Sequence, residues 1–142
     1  MIARTAQAAG GRVIGVIPKA IHELGFAHAT CDELIVTDTM RERKDVMDRR
    51  SDAFIALPGG FGTLDEILEI LSLKQLNYHN RPIVFLNTQS FFTPLLQMFE
   101  HVVHARFAKT SSHQLYYTAP TVTDALRFIQ SYQPSPIEKK WP

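Results

Sequence analysis

Two short stretches carry residue types able to act on an anionic substrate. The first is Pro58-Gly59-Gly60-Phe61-Gly62-Thr63-Leu64-Asp65-Glu66, where three glycines in four positions are followed by two carboxylates. The apolar run Ala53 to Leu57 leads in, and Leu64, Ile67, Leu68 and Leu71 lead out at helical spacing. That order predicts a buried strand, a tight loop and an amphipathic helix. Glycine admits backbone conformations closed to other residues and lets a ligand come close to the chain. Such a loop opening a helix points free N–H groups at whatever sits above it, and the helix dipole favours an anion there. A plain strand-to-helix connection without a ligand fits the same pattern.

Glu66 has two uses open to it. Thr63 and Glu66 have the spacing of a capping box, in which the carboxylate ties back the helix start. If a nucleotide's phosphate rests on the loop, its sugar reaches the helix's first turn. A carboxylate there could activate water or stabilise positive charge at the anomeric carbon, as acidic residues do in glycoside cleavage. The second stretch is the basic helix from Met40 to about Arg50. Arg43 stands out because it shares one face with Met40 and Met47, residues expected to be buried. A partly buried guanidinium suits phosphate or carboxylate, which it binds in a bidentate way. Arg49 and Arg50 read as a solvated face. His101 and His104 lie three apart on one helix, but no third ligand accompanies them, so a metal site is not expected. Ser51 and Cys31 lack a base in any nucleophilic arrangement.

The elements that must position these residues alternate. Residues 2–9 read as a helix end stopped by Gly10-Gly11, and Arg12 to Ile17 as a strand closed by Pro18. Residues 19–30 read as loop or short helix. Glu33 to Thr37 is a strand, and Thr39 with Glu42 forms a capping box opening the basic helix. Beyond the glycine loop a helix runs to about Asn77, then a strand over Arg81 to Asn87 with Pro82 at its entry. Phe91 to His104 is helical, Tyr116 to Thr118 a short strand, and Thr123 to Tyr132 a last helix. The strands are continuous apolar runs, which predicts an α/β fold: a doubly wound, Rossmann-like parallel sheet with helices on both faces. A single domain over 1–133 and a loose tail over 134–142 are expected.

Composition narrows the classes. Of 142 residues 45% are hydrophobic and 20% charged, and the formal net charge is +1, without the one-sided basic surface of a nucleic-acid binder. The one cysteine, Cys31, cannot form an internal disulfide. No apolar run approaches the ~18 residues of a membrane span, and the first residues lack a secretory core, so a soluble cytoplasmic protein is expected.

Arg43-Lys44 flanked by Met40 and Met47, followed by Ser51-Asp52-Ala53-Phe54-Ile55-Ala56-Leu57 and the Pro-Gly-Gly-x-Gly-Thr-x-x-Glu motif, resembles the "Lonely guy" family. Its members are cytokinin riboside 5′-monophosphate phosphoribohydrolases, often mislabelled as lysine decarboxylases. The resemblance extends from Gly10 to about residue 107. It implies hydrolysis of the N-glycosidic bond of an N6-modified adenosine monophosphate, a nucleoside 5′-monophosphate substrate, releasing free base and ribose 5-phosphate. It makes Arg43 and Glu66 the catalytic pair with Lys44 beside them. By the same resemblance Gly59, Gly60, Phe61, Gly62 and Thr63 line the phosphate and ribose, and Ser72 falls where members often place a ligand-contacting threonine. It implies no metal or cofactor, and a homodimer. Members normally begin with a further strand, helix and strand, so the chain is expected to lack about 50 residues at its front. Gly25 stands near where many members place an acidic contact, with Glu23 close but shifted. The competing expectations are a non-catalytic nucleotide or molybdenum-cofactor carrier and an inactive short family member.

Overall fold

The computed structural model describes residues 2–25 and 31–138. It divides into two compact units, Met1–Ser51 and Asp52–Pro142. The end of the segment expected over 19–30, with His28, and the last four tail residues lie outside the described residues.

In the first unit, α1 (Ile2–Ala8) ends as its glycines demand. Gly10 takes a left-handed φ of 81°, and its amide bonds to Gln7 O while Gly11 N bonds to Ala6 O at 2.8 Å. This is a Schellman closure, with glycine where a side chain would be strained. Strand β1 (Ile14–Pro18) runs into α2 (Lys19–His22), and β2 (Glu33–Thr37) pairs with β1 in parallel, Ile14 opposite Glu33. Helix α3 (Met40–Arg49) follows and packs on both strands. Its N-cap Thr39 accepts from Glu42 N at 3.0 Å, and the Glu42 carboxylate returns to Asp38 N at 2.9 Å, one residue before the expected return. Arg50 is exposed, as expected of a solvated face. It forks onto Glu33, which also takes Arg12 at 2.7 Å, and the two guanidiniums, Arg50 foremost, hold that carboxyl below its usual range.

The second unit is built on β4 (Ile83–Leu86), buried at all four positions. It lies between β3 (Phe54–Ala56) and β5 (Tyr117–Ala119), parallel to both. Side chains alternate across a strand. Ile83 and Phe85 therefore join one cluster with Ile67 and Ile70 of α4 (Phe61–Gln75) and with Phe92, Leu95 and Phe99 along α5 (Thr93–His104). Val84 and Leu86 join the other cluster with Ala125 and Phe128 of α6 (Val122–Ser131). Phe85 is fully buried and meets Phe92, Phe99 and Tyr116 edge-on, with centroids 5.3 to 5.9 Å apart.

The fold class is therefore α/β with parallel strands flanked by helices, as the apolar runs predict, but the five strands among the described residues form two sheets, of two and three strands. Among these strands only β4 is buried at every position. On β2, Leu34 and Val36 alternate outward, 38% and 47% exposed. The helix expected from Phe91 starts at Thr93, because residues Thr88–Ser90 form a 3-10 turn with Gln89 and Ser90 at positive φ. Asn87 ends β4 and holds this corner, accepting from Phe92 N at 2.7 Å. A second 3-10 helix, Thr110–Leu115, precedes β5. Residues 134–138 have no regular structure but are tied down, Asn80 donating to Ser135 O at 2.7 Å. No helix among the described residues is long and apolar enough to cross a membrane.

Two expectations follow for stability. Phe85→Ala removes a fully buried ring that three other aromatic rings meet and should cost about 3–5 kcal/mol in chemical denaturation. Lys74 of α4 is only 2% exposed, and burial lowers its pKa from 10.5 to about 8. Between those values the unfolded chain holds more protons than the folded one, so stability rises with pH. Burial pushes the Tyr116 and Tyr132 hydroxyls above 10.0, which reverses the trend beyond that pH. Urea midpoints should climb from about pH 8 to 10, and Lys74→Met should flatten the climb.

Candidate active site

The glycine loop joins the carboxyl end of β3 to α4. The helix begins at Phe61 with Gly60 as N-cap, which has no side chain to cap with. Its first intrahelical bond runs from Leu64 N to Gly60 O at 3.2 Å. The amides of Phe61, Gly62 and Thr63 thus precede the ladder and point out of the helix start. Because the helix opens at Phe61, Thr63 and Glu66 are third and sixth in it. The capping box expected from their spacing is not formed, since that motif needs its threonine at the N-cap.

The glycines are needed for space rather than for unusual backbone. Positive φ occurs at Gly10 and Gly25, not at the loop glycines. A Cβ at Gly59 would sit 2.3 Å from Thr63 Oγ1 and 3.1 Å from Thr63 Cβ, so the threonine side chain folds back over the loop. At Gly60 and Gly62 an added Cβ would meet nothing within 4 Å. Those two positions leave the helix start open above the exposed amides. Phe61 beside them is 89% exposed. The Gly59–Thr63 contact is a feature the residue pattern does not announce. Its only trace in the sequence is a small residue placed against the turn that follows.

Gly62, Thr63 and Glu66 are three and four positions apart and share one side of α4. Glu66 is half-buried. Ser72 lies six residues beyond Glu66, about 9 Å along the axis and about 120° around it. Its hydroxyl donates to Leu68 O at 2.8 Å. The helix therefore brings the loop and Glu66 to one face and puts Ser72 on another.

Arg43 and Lys44 sit in the first half of α3, both half-buried. Arg43 Nε donates to Val16 O at 3.0 Å, which anchors the guanidinium at the middle of β1. Met40, expected beside it in the interior, is 50% exposed. As consecutive helical residues, Arg43 and Lys44 point about 100° apart. Among the described residues no group of three or more His, Cys, Asp or Glu is placed to hold a metal ion.

Parallel strands followed by helices, with a glycine loop opening a helix at a strand's carboxyl end, define an α/β protein with an open helix start above the loop. The family model described as "Possible lysine decarboxylase" matches residues 1–129, and the chain belongs to that family, the "Lonely guy" family of the motif resemblance. A probable cytokinin riboside 5′-monophosphate phosphoribohydrolase of Oryza sativa subsp. japonica is 40% identical over 132 residues, covering 93% of this chain and 59% of its own length. A cytokinin riboside 5′-monophosphate phosphoribohydrolase of Arabidopsis thaliana is 35% identical over 134 residues, 94% of this chain and 59% of its own. A second Arabidopsis thaliana protein of that name is 40% identical over 126 residues, with shares of 88% and 59%. The chain thus spans under two thirds of the length of these relatives.

The loop geometry makes a direct contrast. Gly59→Ala should destabilise by about 1–3 kcal/mol, because Thr63 must swing away. Gly62→Ala, in helical backbone with open space above it, should be neutral or stabilising by up to about 1 kcal/mol. Denaturant titration of the two variants reads both signs.

Proposed function

We propose that this protein hydrolyses the N-glycosidic bond of a nucleoside 5′-monophosphate of the N6-modified adenosine type, releasing the base and ribose 5-phosphate. The observation that carries the proposal is the placement of Glu66 on the same face as Gly62 and Thr63, directly beyond the open helix start. A phosphate received by the Phe61, Gly62 and Thr63 amides gains hydrogen bonds and a favourable dipole. From Phe61 to Glu66 the helix rises about 7.5 Å, roughly the reach from a 5′-phosphate to the anomeric carbon of the same ribose.

In the reaction, the bond between the anomeric carbon and the base nitrogen breaks, and its electron pair leaves with the base, which takes up a proton. Glu66 stabilises the positive charge building on the sugar and accepts a proton from the water whose oxygen bonds to that carbon. Arg43 takes the second catalytic role that the family resemblance gives it, with Lys44 adding positive charge, and the loop glycines keep the phosphate's approach clear. Ser72 is proposed as a further substrate contact on that same resemblance. The relatives' names supply the cytokinin riboside 5′-monophosphate class. A single domain spanning 1–133, a homodimer and a cytoplasmic setting belong to the same proposal, the second testable by sizing with light scattering.

The test is release of free base from isopentenyladenosine 5′-monophosphate and from AMP, followed by chromatography. Glu66→Ala and Arg43→Ala should each lower turnover by about 10²–10⁴-fold while the protein stays folded. Gly62→Ala should keep its stability yet lose substrate affinity, since its methyl occupies the phosphate's place. Turnover unchanged in Glu66→Ala would remove the carboxylate from the mechanism. Nucleotide bound by the wild type but never cleaved would make the protein a carrier instead.

A further inference from the structure

Far from the glycine loop, the other end of α4 holds a lysine in an unusual setting. Lys74 lies thirteen residues after Phe61, about 20 Å along the helix. It is among the largest fully buried side chains. Its ammonium donates to Arg81 O and to the Tyr132 hydroxyl, both at 2.9 Å, and stands 4.9 Å from the Tyr132 ring centroid. Tyr132 passes its own proton to Asn80 Oδ1 at 3.0 Å. Every one of these partners is neutral, and Lys74 makes no ion pair with any described residue. A buried charge ordinarily has a counter-charge.

Lys74 also lines a cavity of about 390 Å³. Gln75, Ser111, Ser112 and Lys109 bring further donors to its wall, and Arg106 adds a second rim cation. Arg106 is held at φ 63°, a left-handed conformation costly for a side chain of that size. The one carboxylate on the described wall is Glu138, which comes from the strap that follows α6. It accepts from Lys109 Nζ at 2.7 Å and from Ser111 Oγ at 2.6 Å. Those two bonds keep its carboxyl below the usual range.

We propose that this cavity binds a small organic or inorganic oxyanion, a carboxylate or a phosphate, through Lys74 and Lys109, and that Glu138 competes with it for Lys109 and Ser111. The volume lies in the range of small-ligand pockets. The described wall carries three cations, Lys74, Arg106 and Lys109, against one carboxylate, and that acid already shows the bonding an incoming anion would receive. The bound anion supplies the counter-charge that the Lys74 site otherwise lacks. This site is separate from the glycine loop, and its assignment does not rest on the proposed hydrolysis.

The test uses the full chain and two probes, succinate and inorganic phosphate, titrated by calorimetry at constant ionic strength set with chloride. Binding of at least one probe is expected. Lys74→Met should weaken it by at least about tenfold, as loss of a charge-assisted contact does. Glu138→Gln, which removes the competing charge from an exposed strap, should tighten it several-fold. Should Lys74→Met fail to fold, Lys109→Gln at the exposed rim should still weaken binding several-fold. Phosphate received by the glycine loop would survive Lys74→Met undiminished. That result, absence of binding by both probes, or an affinity unmoved in Glu138→Gln would overturn the proposal and leave Lys74 as a tie between α4 and the Arg81 carbonyl.

Discussion

The second unit depends on one constraint, that β4 must be buried on both faces. Four consecutive apolar residues cannot present a wet side, so helices have to cover Ile83 and Phe85 from one direction and Val84 and Leu86 from the other. α4 is one of those covers. Its Ile67 and Ile70 are drawn onto Phe85's side, and this fixes which way its first turn faces. The open amides at Phe61 to Thr63 and the position of Glu66 follow from hydrophobic burial two turns away. The geometry of the helix start is thus held by packing in its middle.

Much of this was legible in the residues and some was not, for identifiable reasons. Apolar runs located the strands among the described residues, although burial on both faces requires such continuity only of β4. The glycine pair after α1 marked that helix end, since no other residue takes Gly10's φ so cheaply. The start of α4 was misread because Thr63 and Glu66 imitate a capping box, whereas a glycine N-cap carries no side chain to advertise it. Met40 reads as interior by helical spacing yet is 50% exposed, since periodicity names a face of a helix but not how far along it that face is covered. Lys74 was invisible for the opposite reason. Within a helix a lysine suggests solvent, and only Tyr132, 58 residues later, and the Arg81 carbonyl make its place an interior one.

The glycine loop illustrates how one residue type serves different needs within four positions. Gly59 makes way for Thr63, while Gly60 and Gly62 have open space where a side chain would stand. None of the three needs the left-handed backbone that glycine alone takes easily. A motif read as a request for flexibility is, at Gly59, a request for volume.

The outward row of Leu34 and Val36 on β2 bears on how the protein behaves in bulk solution. Apolar strand faces attract one another, and with a formal charge of only +1 little Coulomb repulsion keeps two molecules apart. Its sequence pI of about 7.9 sits close to ordinary buffer pH. Concentrated stocks will be governed by colloidal balance, and a buffer well below the isoelectric point is the better medium for keeping the molecules dispersed.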